Sequence, residues 1–299
     1  MKQQNSAVLI AHYGATVDIE TENGQIYRCT VRQNVGSLAV GDKVIWQLLH
    51  DGSGVITGYE PRRSTLTRPN RFGQHKLVAA NVDRLAVVIA AQPQFATELL
   101  DQYLVAAELL GLDAIIVFNK IDLLSTRQLQ DIQSSLSIYQ QIGYEIVYTS
   151  MTTKAGLDQL AEILTKGTAI FVGQSGVGKS SLIDSLIPEA VVKTDDIAPH
   201  KSGRHVTSKS RLYHLPKDGN IIDSPGVREF GLWHISATEL CRGFREFASY
   251  SHRCQFRNCC HQHEPHCAVR QAVERGDIAM QRYTNFKKLF TTLTHENYK

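Results

Sequence analysis

A glycine-rich stretch in the second half of the chain has the residue types and spacing that bind a polyphosphate. It fits the pattern G-x-x-x-x-G-K-[ST] from Gly173 to Ser180. Its glycines let the backbone curl so that successive N–H groups face phosphate oxygens. Lys179 would then reach the outer phosphates, and the Ser180 hydroxyl would bind magnesium. The predicted phosphate-binding loop comprises Gly173, Gln174, Ser175, Gly176, Val177, Gly178, Lys179, Ser180 and Ser181.

The segments on either side of this loop predict the strand and the helix that the motif requires. Residues 169–172 form an apolar run, and Leu182, Ile183 and Leu186 recur at helical spacing. A glycine-rich turn that matches the pattern by chance is the alternative, and the flanking strand and helix disfavour it.

A second motif indicates which base the nucleotide carries. A tetrapeptide of the form N-K-x-D follows the apolar run 112–118, which predicts a buried strand. In GTP-binding proteins the aspartate of this motif accepts the N1–H and N2–H groups of guanine, which adenine does not offer. Ligands of open α/β sheets bind at the carboxyl ends of strands, so guanine is favoured over a plain polar turn. The predicted guanine-side residues are Asn119, Lys120, Asp122 and, through backbone N–H groups, Ser150.

Two further segments would complete a site for magnesium and the γ-phosphate. Residues 219–222 predict a short strand that ends in a D-x-x-G sequence from Asp223 to Gly226. Asp223 would hold magnesium through a water molecule, and the Gly226 N–H would sense the γ-phosphate. Thr207 or Ser208 is the candidate hydroxyl ligand for magnesium. In an ordinary GTPase N-K-x-D follows the other two motifs, whereas here it precedes them, which predicts a circularly permuted domain.

The first sixty residues predict a small all-β domain. Short β-favouring runs are separated by turn signals rich in Gly, Asn and Asp. Four or five strands in this length suggest an OB-fold, which commonly binds RNA, with a generic five-stranded barrel as the alternative. We predict strands over residues 15–20, 26–32, 43–48 and 54–59, and a linker over residues 61–70.

The middle of the chain changes to the pattern of an α/β fold. Continuous apolar runs are typical of strands that are buried on both faces, and helical patterns lie between them. This alternation predicts a largely parallel sheet. The predicted strands are 85–91, 112–118 and 145–149, and the predicted helices are 97–110, 126–141 with Ser125 as N-cap, and 157–164.

Four of the six cysteines lie within fourteen residues, beside several histidines. No signal pattern and no apolar run of membrane-spanning length is found, so we expect a cytosolic protein, in which disulfides are disfavoured. Three thiolates and one imidazole are typical of a structural zinc site, and either Cys259 or Cys260 could supply one thiolate. Unliganded cysteines in a helical tail are the alternative. Helices are predicted around residues 238–250 and 268–290.

Charge adds a weaker indication of the partner. The net charge of +3, with 42% apolar and 20% charged residues, is ordinary for a soluble globular protein. Residues 61–82 and 197–217, however, each contain five lysines or arginines and no acid. Such stretches often form only a solvated face, but two in one chain favour a polyanionic partner.

Together these features resemble the RsgA family of ribosome small-subunit-dependent GTPases. The resemblance covers nearly the whole chain and rests on the motif order, on residues 203–207 and 223–230, and on the spacing Cys-x4-Cys-x-His-x5-Cys that starts at Cys254. It implies a multidomain α/β protein. The implied domains are an OB-fold over residues 1–68, a permuted P-loop GTPase over 69–234 and a helical zinc-binding domain over 235–299.

The resemblance also implies how catalysis would be arranged. The residue after D-x-x-G is Val227, which cannot orient a water molecule as a glutamine does, so unstimulated hydrolysis should be slow. His205 would position the attacking water instead. Arg204 is a further candidate for stabilising charge, and Thr207 is preferred over Ser208 as the magnesium ligand.

Cofactors and partners follow from the same resemblance. GTP or GDP with Mg²⁺ would occupy the nucleotide site, and the partner would be the small ribosomal subunit with its rRNA, late in subunit maturation. We expect a cytoplasmic monomer without membrane association. One zinc ion per chain would be held by Cys254, Cys259, His261 and Cys267.

Two functions of other classes stay open at this point. One is an RNA-binding module whose loop holds a nucleotide without turnover. The other is a P-loop kinase that uses ATP, which Asp122 disfavours.

Overall fold

The computed structural model describes residues 5–69, 75–187, 210–224 and 235–296. The chain forms two compact units, and it passes between them several times. The first unit comprises Met1–Leu85, Leu157–Val172 and Gly178–Phe230, and the second comprises Ala86–Gly156, Gly173–Val177 and Gly231–Lys299. The domain boundaries inferred after residues 68 and 234 stay predictions.

Five strands of the first unit form a barrel: β1 (Asn5–His12), β2 (Thr16–Glu20), β3 (Ile26–Val31), β4 (Lys43–Leu48) and β5 (Gly54–Tyr59). Their pairing order is β1-β2-β3-β5-β4, and β4 pairs again with β1, so the barrel closes. Along β2, Val17 and Ile19 are fully buried and alternate with partly exposed neighbours. This five-stranded closed barrel is the predicted OB-fold.

The prediction of a linker over residues 61–70 is wrong. β6 (Thr65–Pro69) pairs antiparallel with β7 (His75–Ala80) in a two-stranded sheet. The pairing buries Leu66 completely. Both strands of such a sheet are edge strands, where proline is tolerated, so the prolines of this segment do not exclude a strand.

The middle of the chain forms the predicted alternation of strands and helices. Its elements are β8 (Arg84–Ala90), α1 (Thr97–Leu110), β9 (Asp113–Asn119), α2 (Thr126–Gln141) and β10 (Glu145–Thr149). β9 and β10 are parallel, with Asn119 opposite Thr149, and the strand order is β10-β9-β8. α2 begins with a capping box, in which the Ser125 hydroxyl accepts the Gln128 N–H.

The first unit continues with elements that flank the predicted phosphate-binding loop: α3 (Leu157–Ile163), β11 (Thr168–Val172), α4 (Lys179–Leu186), β12 (Arg211–His214) and β13 (Asn220–Asp223). β11 and β13 are parallel, and β12 is antiparallel to β13. β12 also pairs with the barrel strand β1 at Ala11 and Arg211. β12 was not predicted from the sequence, because the segment that contains it was interpreted only as a basic stretch.

The end of the described chain is helical, but each of its two predicted helices is broken. The observed helices are α5 (Ala237–Gly243), α6 (Ala248–Ser251), α7 (Ala268–Glu274) and α8 (Met280–Glu296). The Arg245–Phe247 segment forms a 3₁₀ turn between α5 and α6. Gly276, with a φ of 81°, follows α7 and takes a left-handed conformation that ends a helix.

A buried aromatic cluster holds these helices on α1. Phe247 lies 5.1 Å from Phe244 and 5.0 Å from Phe286 between ring centroids. Gly243 permits the close approach of α5 to α1, because a Cβ at this position would lie 2.3 Å from a side-chain carbon of Val105. Within the second unit, α1 therefore belongs to the same core as the C-terminal helices.

A buried ion cluster joins the same elements. The side chains of Arg282 and Asp101 are 0% exposed, and Arg282 Nη1 lies 2.5 Å from Asp101 Oδ1. The other edge of the guanidinium donates to Glu246 at 2.7 and 3.0 Å. Asp101 also accepts the Tyr139 hydroxyl at 2.8 Å and the Asn285 amide at 2.7 Å. The buried charges are thus both paired and hydrogen-bonded, which their burial requires.

We expect Arg282→Met to lower the free energy of unfolding by about 3–5 kcal/mol, because it leaves Asp101 as an uncompensated buried carboxylate. Denaturant unfolding measures the loss. The control is Arg275→Met, which removes a pair with Asp277 whose two side chains are 54% and 41% exposed and should cost less than about 1 kcal/mol. Equal small losses in both variants would show that the buried cluster does not hold α8 on α1.

Candidate nucleotide-binding and zinc sites

The glycines of the predicted phosphate-binding loop take backbone conformations that other residues adopt with strain. Gly173, Gly176 and Gly178 have φ values of 138°, 83° and 98°. Gly173 is also required by space, because a Cβ there would lie 2.1 Å from the Val88 carbonyl oxygen. The loop that joins β11 to α4 therefore has the curled backbone that a cradle of N–H groups needs.

The loop passes directly into the first turn of α4. The Leu182 N–H donates to the Gly178 carbonyl at 3.0 Å, and Leu182, Ile183 and Leu186 are buried. This buried face fixes the helix, so that Lys179 and Ser180 lie in its first turn. A helix start of this kind offers backbone N–H groups and a positive dipole end to phosphate.

The first two residues of N-K-x-D hold the phosphate-binding loop. The Asn119 side chain is 1% exposed, donates to the Val177 carbonyl at 2.9 Å and accepts the Thr149 hydroxyl at 3.0 Å. Lys120 Nζ donates to the Gly176 carbonyl at 2.6 Å. Within the second unit, both side chains thus connect the end of β9 to the loop.

Asp122 presents an exposed carboxylate at the same turn. Its Oδ1 accepts the Ser150 hydroxyl at 2.6 Å, and its Oδ2 accepts the Thr152 hydroxyl at 3.2 Å. The Ser150 hydroxyl is the main cause that holds the pKa of Asp122 below its usual range. Each carboxylate oxygen has two acceptor positions, so both can still accept an N–H donor. The arrangement can therefore accept a pair of parallel N–H groups, as guanine offers.

Two of these hydroxyl contacts were not foreseen from the sequence. Ser150 was expected to act through its backbone, whereas its side chain orients Asp122 and also accepts the N–H groups of Thr152 and Thr153 at 3.1 and 3.0 Å. Thr152 was not singled out at all. The available signal in the sequence was the group of four hydroxyl residues among 149–153, followed by Gly156. In the structure a Cβ at Gly156 would lie 2.0 Å from the Tyr148 carbonyl oxygen.

The structure describes only part of the predicted magnesium and γ-phosphate site. Asp223 ends β13, the parallel neighbour of β11, whose carboxyl end leads into the phosphate-binding loop. The next residue, Ser224, is 8% exposed and its hydroxyl lies 2.7 Å from that of Ser210. This contact fixes the start of D-x-x-G. The other predicted residues of this site lie outside the described residues, namely Arg204, His205, Thr207, Ser208, Gly226 and Val227.

The cysteine cluster forms a compact set of metal-ligand atoms. One ligand atom from each of Cys254, Cys259, His261 and Cys267 lies within 4.8 Å of the others. The Cys254 and Cys267 sulfurs are 4.0 Å apart, and His261 Nδ1 lies 3.6 and 3.4 Å from them. A tetrahedral zinc with Zn–S bonds of about 2.3 Å separates its ligand atoms by about 3.5–3.8 Å. The donor set therefore fits zinc in its chemistry, and the Cys254, Cys267 and His261 ligand atoms lie close to the spacing that a tetrahedral ion requires.

His261 is held firmly within this set. It is 3% exposed, its ring meets Phe247 edge-on at 5.8 Å, and its carbonyl accepts the Tyr283 hydroxyl at 2.7 Å. Burial lowers the pKa of His261, which favours the neutral imidazole that a metal requires.

The neighbouring loop separates Cys260 from the ligand set. The Cys260 thiol donates to the Asn258 carbonyl at 3.6 Å, and its N–H donates to Glu264 Oε1 at 2.6 Å. Glu264 also accepts the N–H groups of Gln262 and His263 at 2.9 and 3.1 Å. Glu264 thus shapes the loop, a role that was not predicted from the sequence.

Comparison with known proteins decides the family. A family model described as RsgA GTPase matches residues 59–233. The chain belongs to the RsgA GTPase family. Small ribosomal subunit biogenesis GTPase RsgA of Haemophilus influenzae is 44% identical over 297 residues, which cover 98% of this chain and 86% of that protein.

Two solved structures agree with this assignment. The crystal structure of YjeQ from Thermotoga maritima is 32% identical, has a TM-score of 0.82 and is matched over 98% of this chain and 99% of that one. YloQ, described as a circularly permuted GTPase, is 30% identical, has a TM-score of 0.79 and is matched over 98% and 96%. This RsgA-family chain is therefore a GTP hydrolase with a circularly permuted GTPase fold, as predicted.

Family membership implies a guanine nucleotide and Mg²⁺ as cofactors. Asp122 and the glycine-rich loop fit the two parts of such a nucleotide. In the parts of the chain that the structure describes, no helix combines the length and apolar character that crossing a bilayer demands.

Proposed function

We propose that this RsgA-family GTPase binds the small ribosomal subunit and hydrolyses GTP in a ribosome-stimulated manner during late maturation of that subunit, in the cytoplasm. The observation that carries the proposal is the similarity, over 98% of the chain, to proteins named small ribosomal subunit biogenesis GTPase. Such extended similarity includes the barrel and the cysteine cluster as well as the nucleotide motifs. We expect the protein to act as a monomer.

The nucleotide site is assigned on the contacts described above. Asp122 accepts the N–H groups of guanine, while Asn119 and Lys120 hold the loop at the distance this requires. Magnesium, when bound, neutralises charge on the phosphates. Its proposed protein ligands are Ser180 and Thr207, with Asp223 acting through water. The remaining proposed contacts to the phosphates come from residues 173–181 and from the Gly226 N–H.

One zinc ion is assigned to the cluster of Cys254, Cys259, His261 and Cys267. The fit of these four ligand atoms to a tetrahedral ion supports the assignment. The set is closed, so the ion would stabilise the loop between α6 and α7 rather than activate a water molecule. A short helical region with so few residues benefits from such a crosslink.

The barrel carries groups that suit RNA. Arg28 is exposed and lies over the partly exposed Tyr13 ring at 4.5 Å, and the partly exposed Tyr27 ring packs on the buried Trp46 ring at 4.7 Å. Ile26 is 56% exposed. Aromatic rings and guanidinium planes on an OB-fold are groups on which RNA bases stack, which supports rRNA as the partner.

We expect purified small subunits to raise GTP turnover by at least about tenfold, since ordering of an activating group by a partner is worth that much or more in related GTPases. Phosphate release is measured with small subunits, with large subunits and with neither. Added salt should weaken the stimulation, because contacts to the phosphate backbone are salt-dependent. Without stimulation by small subunits, an RNA-binding module that holds GTP without turnover would be the better description.

The same assay tests the proposed role of His205, which lies outside the described residues. His205→Ala should abolish most of the stimulated rate and leave GTP affinity nearly unchanged, as expected for a group that acts in the transition state. Lys179→Ala is the control that should lose nucleotide binding itself. Full stimulated turnover in His205→Ala would exclude the histidine from catalysis without affecting the ribosome-binding proposal.

A further inference from the structure

A histidine outside the nucleotide motifs lies between the barrel and the strand that carries Asp223. His214 ends β12, and each nitrogen of its ring lies near a side-chain oxygen. Nε2 is 2.5 Å from Glu20 Oε2 on the barrel strand β2, and Nδ1 is 2.7 Å from Asn220 Oδ1 on β13. All three residues belong to the first unit. Their side chains therefore form one polar link from the barrel to the start of β13.

The backbone places β12 between the same two partners. β12 pairs with the barrel strand β1 at Ala11, and it runs antiparallel to β13 along its whole length. Just before β12, the Ser210 hydroxyl lies 2.7 Å from that of Ser224, which follows β13. Side chains of this segment thus contact both ends of β13, and Asp223 lies between the two contacts.

An apolar contact connects the barrel to the same face of β13. Ile222 lies two residues after Asn220, so the two side chains point to the same face of the strand. A Cβ at Gly41 would lie 3.2 Å from Ile222 Cδ1, so the turn before β4 packs against this side chain. The next residue of that turn, Asp42, is 0% exposed and accepts two N–H groups of Arg62 at 2.6 and 2.9 Å. The barrel therefore contacts β13 at two points.

The polar link is suited to fixing a position rather than to adding stability. The side chains of His214 and Glu20 are 54% and 19% exposed, and contacts between exposed charged groups contribute little to the free energy of unfolding. Asp223 lies roughly 10 Å along the strand from Asn220, at about 3.3 Å per residue. Since misplacement by about 1 Å at a functional group can reduce activity about a hundredfold, a shift of this short strand would matter at its far end.

We infer that His214 is a positioning residue for Asp223, and that the barrel fixes the proposed magnesium site through Glu20 and His214. This inference rests on the nucleotide site proposed above. His214 acts through β13 and not by contact with the nucleotide or the metal. It keeps the start of the strand in place, and with it the carboxylate that would hold magnesium through water.

The test measures how much Mg²⁺ strengthens nucleotide binding. Titration with a fluorescent GDP analogue, once in excess Mg²⁺ and once in EDTA, gives two Kd values whose ratio is the contribution of Mg²⁺. Asp223→Ala should remove most of this contribution. His214→Ala should lower it about two- to tenfold, the range of one hydrogen bond, and leave the Kd in EDTA unchanged. A general loss of packing would instead raise the Kd under both conditions.

Lys217→Ala is the matched control. Lys217 lies in the turn between β12 and β13, and its Nζ is 2.6 Å from Glu162 Oε2, with the two side chains 67% and 68% exposed. This variant also removes an exposed polar contact of the same hairpin, but one that does not involve the barrel. Its Mg²⁺ contribution should equal that of wild type.

A double variant tests the connection to the barrel. If Glu20 acts through His214, Glu20→Ala should lower the Mg²⁺ contribution in wild type and have no further effect once His214 is alanine. Additive losses would mean that the two residues act independently, and they would overturn the link between the barrel and Asp223.

Each outcome bears on one claim. GDP binding that does not respond to Mg²⁺, or an Asp223→Ala variant equal to wild type, would overturn the proposed magnesium site and this inference with it. If the response depends on Asp223, an unchanged Mg²⁺ contribution in His214→Ala, or equal losses in His214→Ala and Lys217→Ala, would overturn only the role of His214. A lowered contribution in His214→Ala and in Glu20→Ala, without additivity, is the result that the inference requires.

Discussion

Asp122→Asn is expected to weaken GTP binding by about a hundredfold to ten-thousandfold. The carboxylate would accept two charge-assisted hydrogen bonds from guanine, each worth about 1.5–3 kcal/mol. Asparagine replaces one acceptor oxygen by an NH₂ group, which would face a guanine donor. Xanthine has a carbonyl in place of the exocyclic amine, so the variant should bind xanthosine nucleotides better than wild type does.

Competition between GDP and xanthosine diphosphate for the site measures this change in base preference. Asp131→Asn is a matched control. Asp131 is an exposed aspartate on α2, and its replacement by asparagine removes the same negative charge. Ser150→Ala should give an intermediate loss of GTP affinity, since it removes the 2.6 Å contact that orients the carboxylate. Wild-type affinity for GTP in Asp122→Asn would exclude this residue from base recognition.

The elements with strong local signals were predicted from the sequence nearly to the residue. The α1 helix has an apolar face at helical spacing, and α2 begins with a capping serine and ends before a glycine, so its bounds follow from nearby residues alone. In the strands β4 and β5, buried residues alternate with more exposed ones, and each strand lies between two turn signals. In such segments the local pattern and the tertiary fold agree, and the prediction needs nothing distant.

The errors lie where distant contacts decide. β1 begins with the exposed polar residues Asn5 and Ser6, which pair with Trp46 and Ile45 of the distant strand β4. One error has a local cause instead: the helix predicted over 268–290 is interrupted because Gly276 takes a left-handed conformation, which the apolar periodicity alone does not reveal. Distant contacts also explain the missed strand β12, whose partners β1 and β13 are far apart in sequence.

The residues of the functional site also fall into two groups, those that the sequence predicts and those that it does not. Motif spacing identifies the loop, Asp122 and the cysteines, because chemistry requires those residue types at fixed intervals. It does not identify residues that orient them, such as Thr152 and Glu264, since these contacts exist only after folding. A hydroxyl or carboxylate at these positions has no sequence pattern of its own.

Loss of one zinc ligand should have the largest effect on the C-terminal region. We expect Cys259→Ser to lose its zinc and to lower the stability of this region by several kcal/mol, because structural zinc in small domains contributes about 10–16 kcal/mol of binding free energy to folding. Cys267 lies in the buried core at the start of α7, and Cys254 and Cys259 pack against that core. Without metal, the Cys267 thiol, whose pKa burial raises, would stay protonated at the end of the core.

The neighbouring cysteine provides the control. Cys260→Ser should keep one zinc per chain and near-wild-type stability, because the Cys260 thiol donates to the Asn258 carbonyl and is absent from the ligand set. Elemental analysis gives the zinc content of both variants, and unfolding with and without a chelator gives the stability that depends on metal. Burial raises the pKa of Cys259 and of Cys267, so zinc must displace protons and should be released as the pH falls. Zinc retained in Cys259→Ser but lost in Cys260→Ser would show that Cys260, and not Cys259, is the fourth ligand. The loop held by Glu264 would then have to adopt a different conformation when zinc binds.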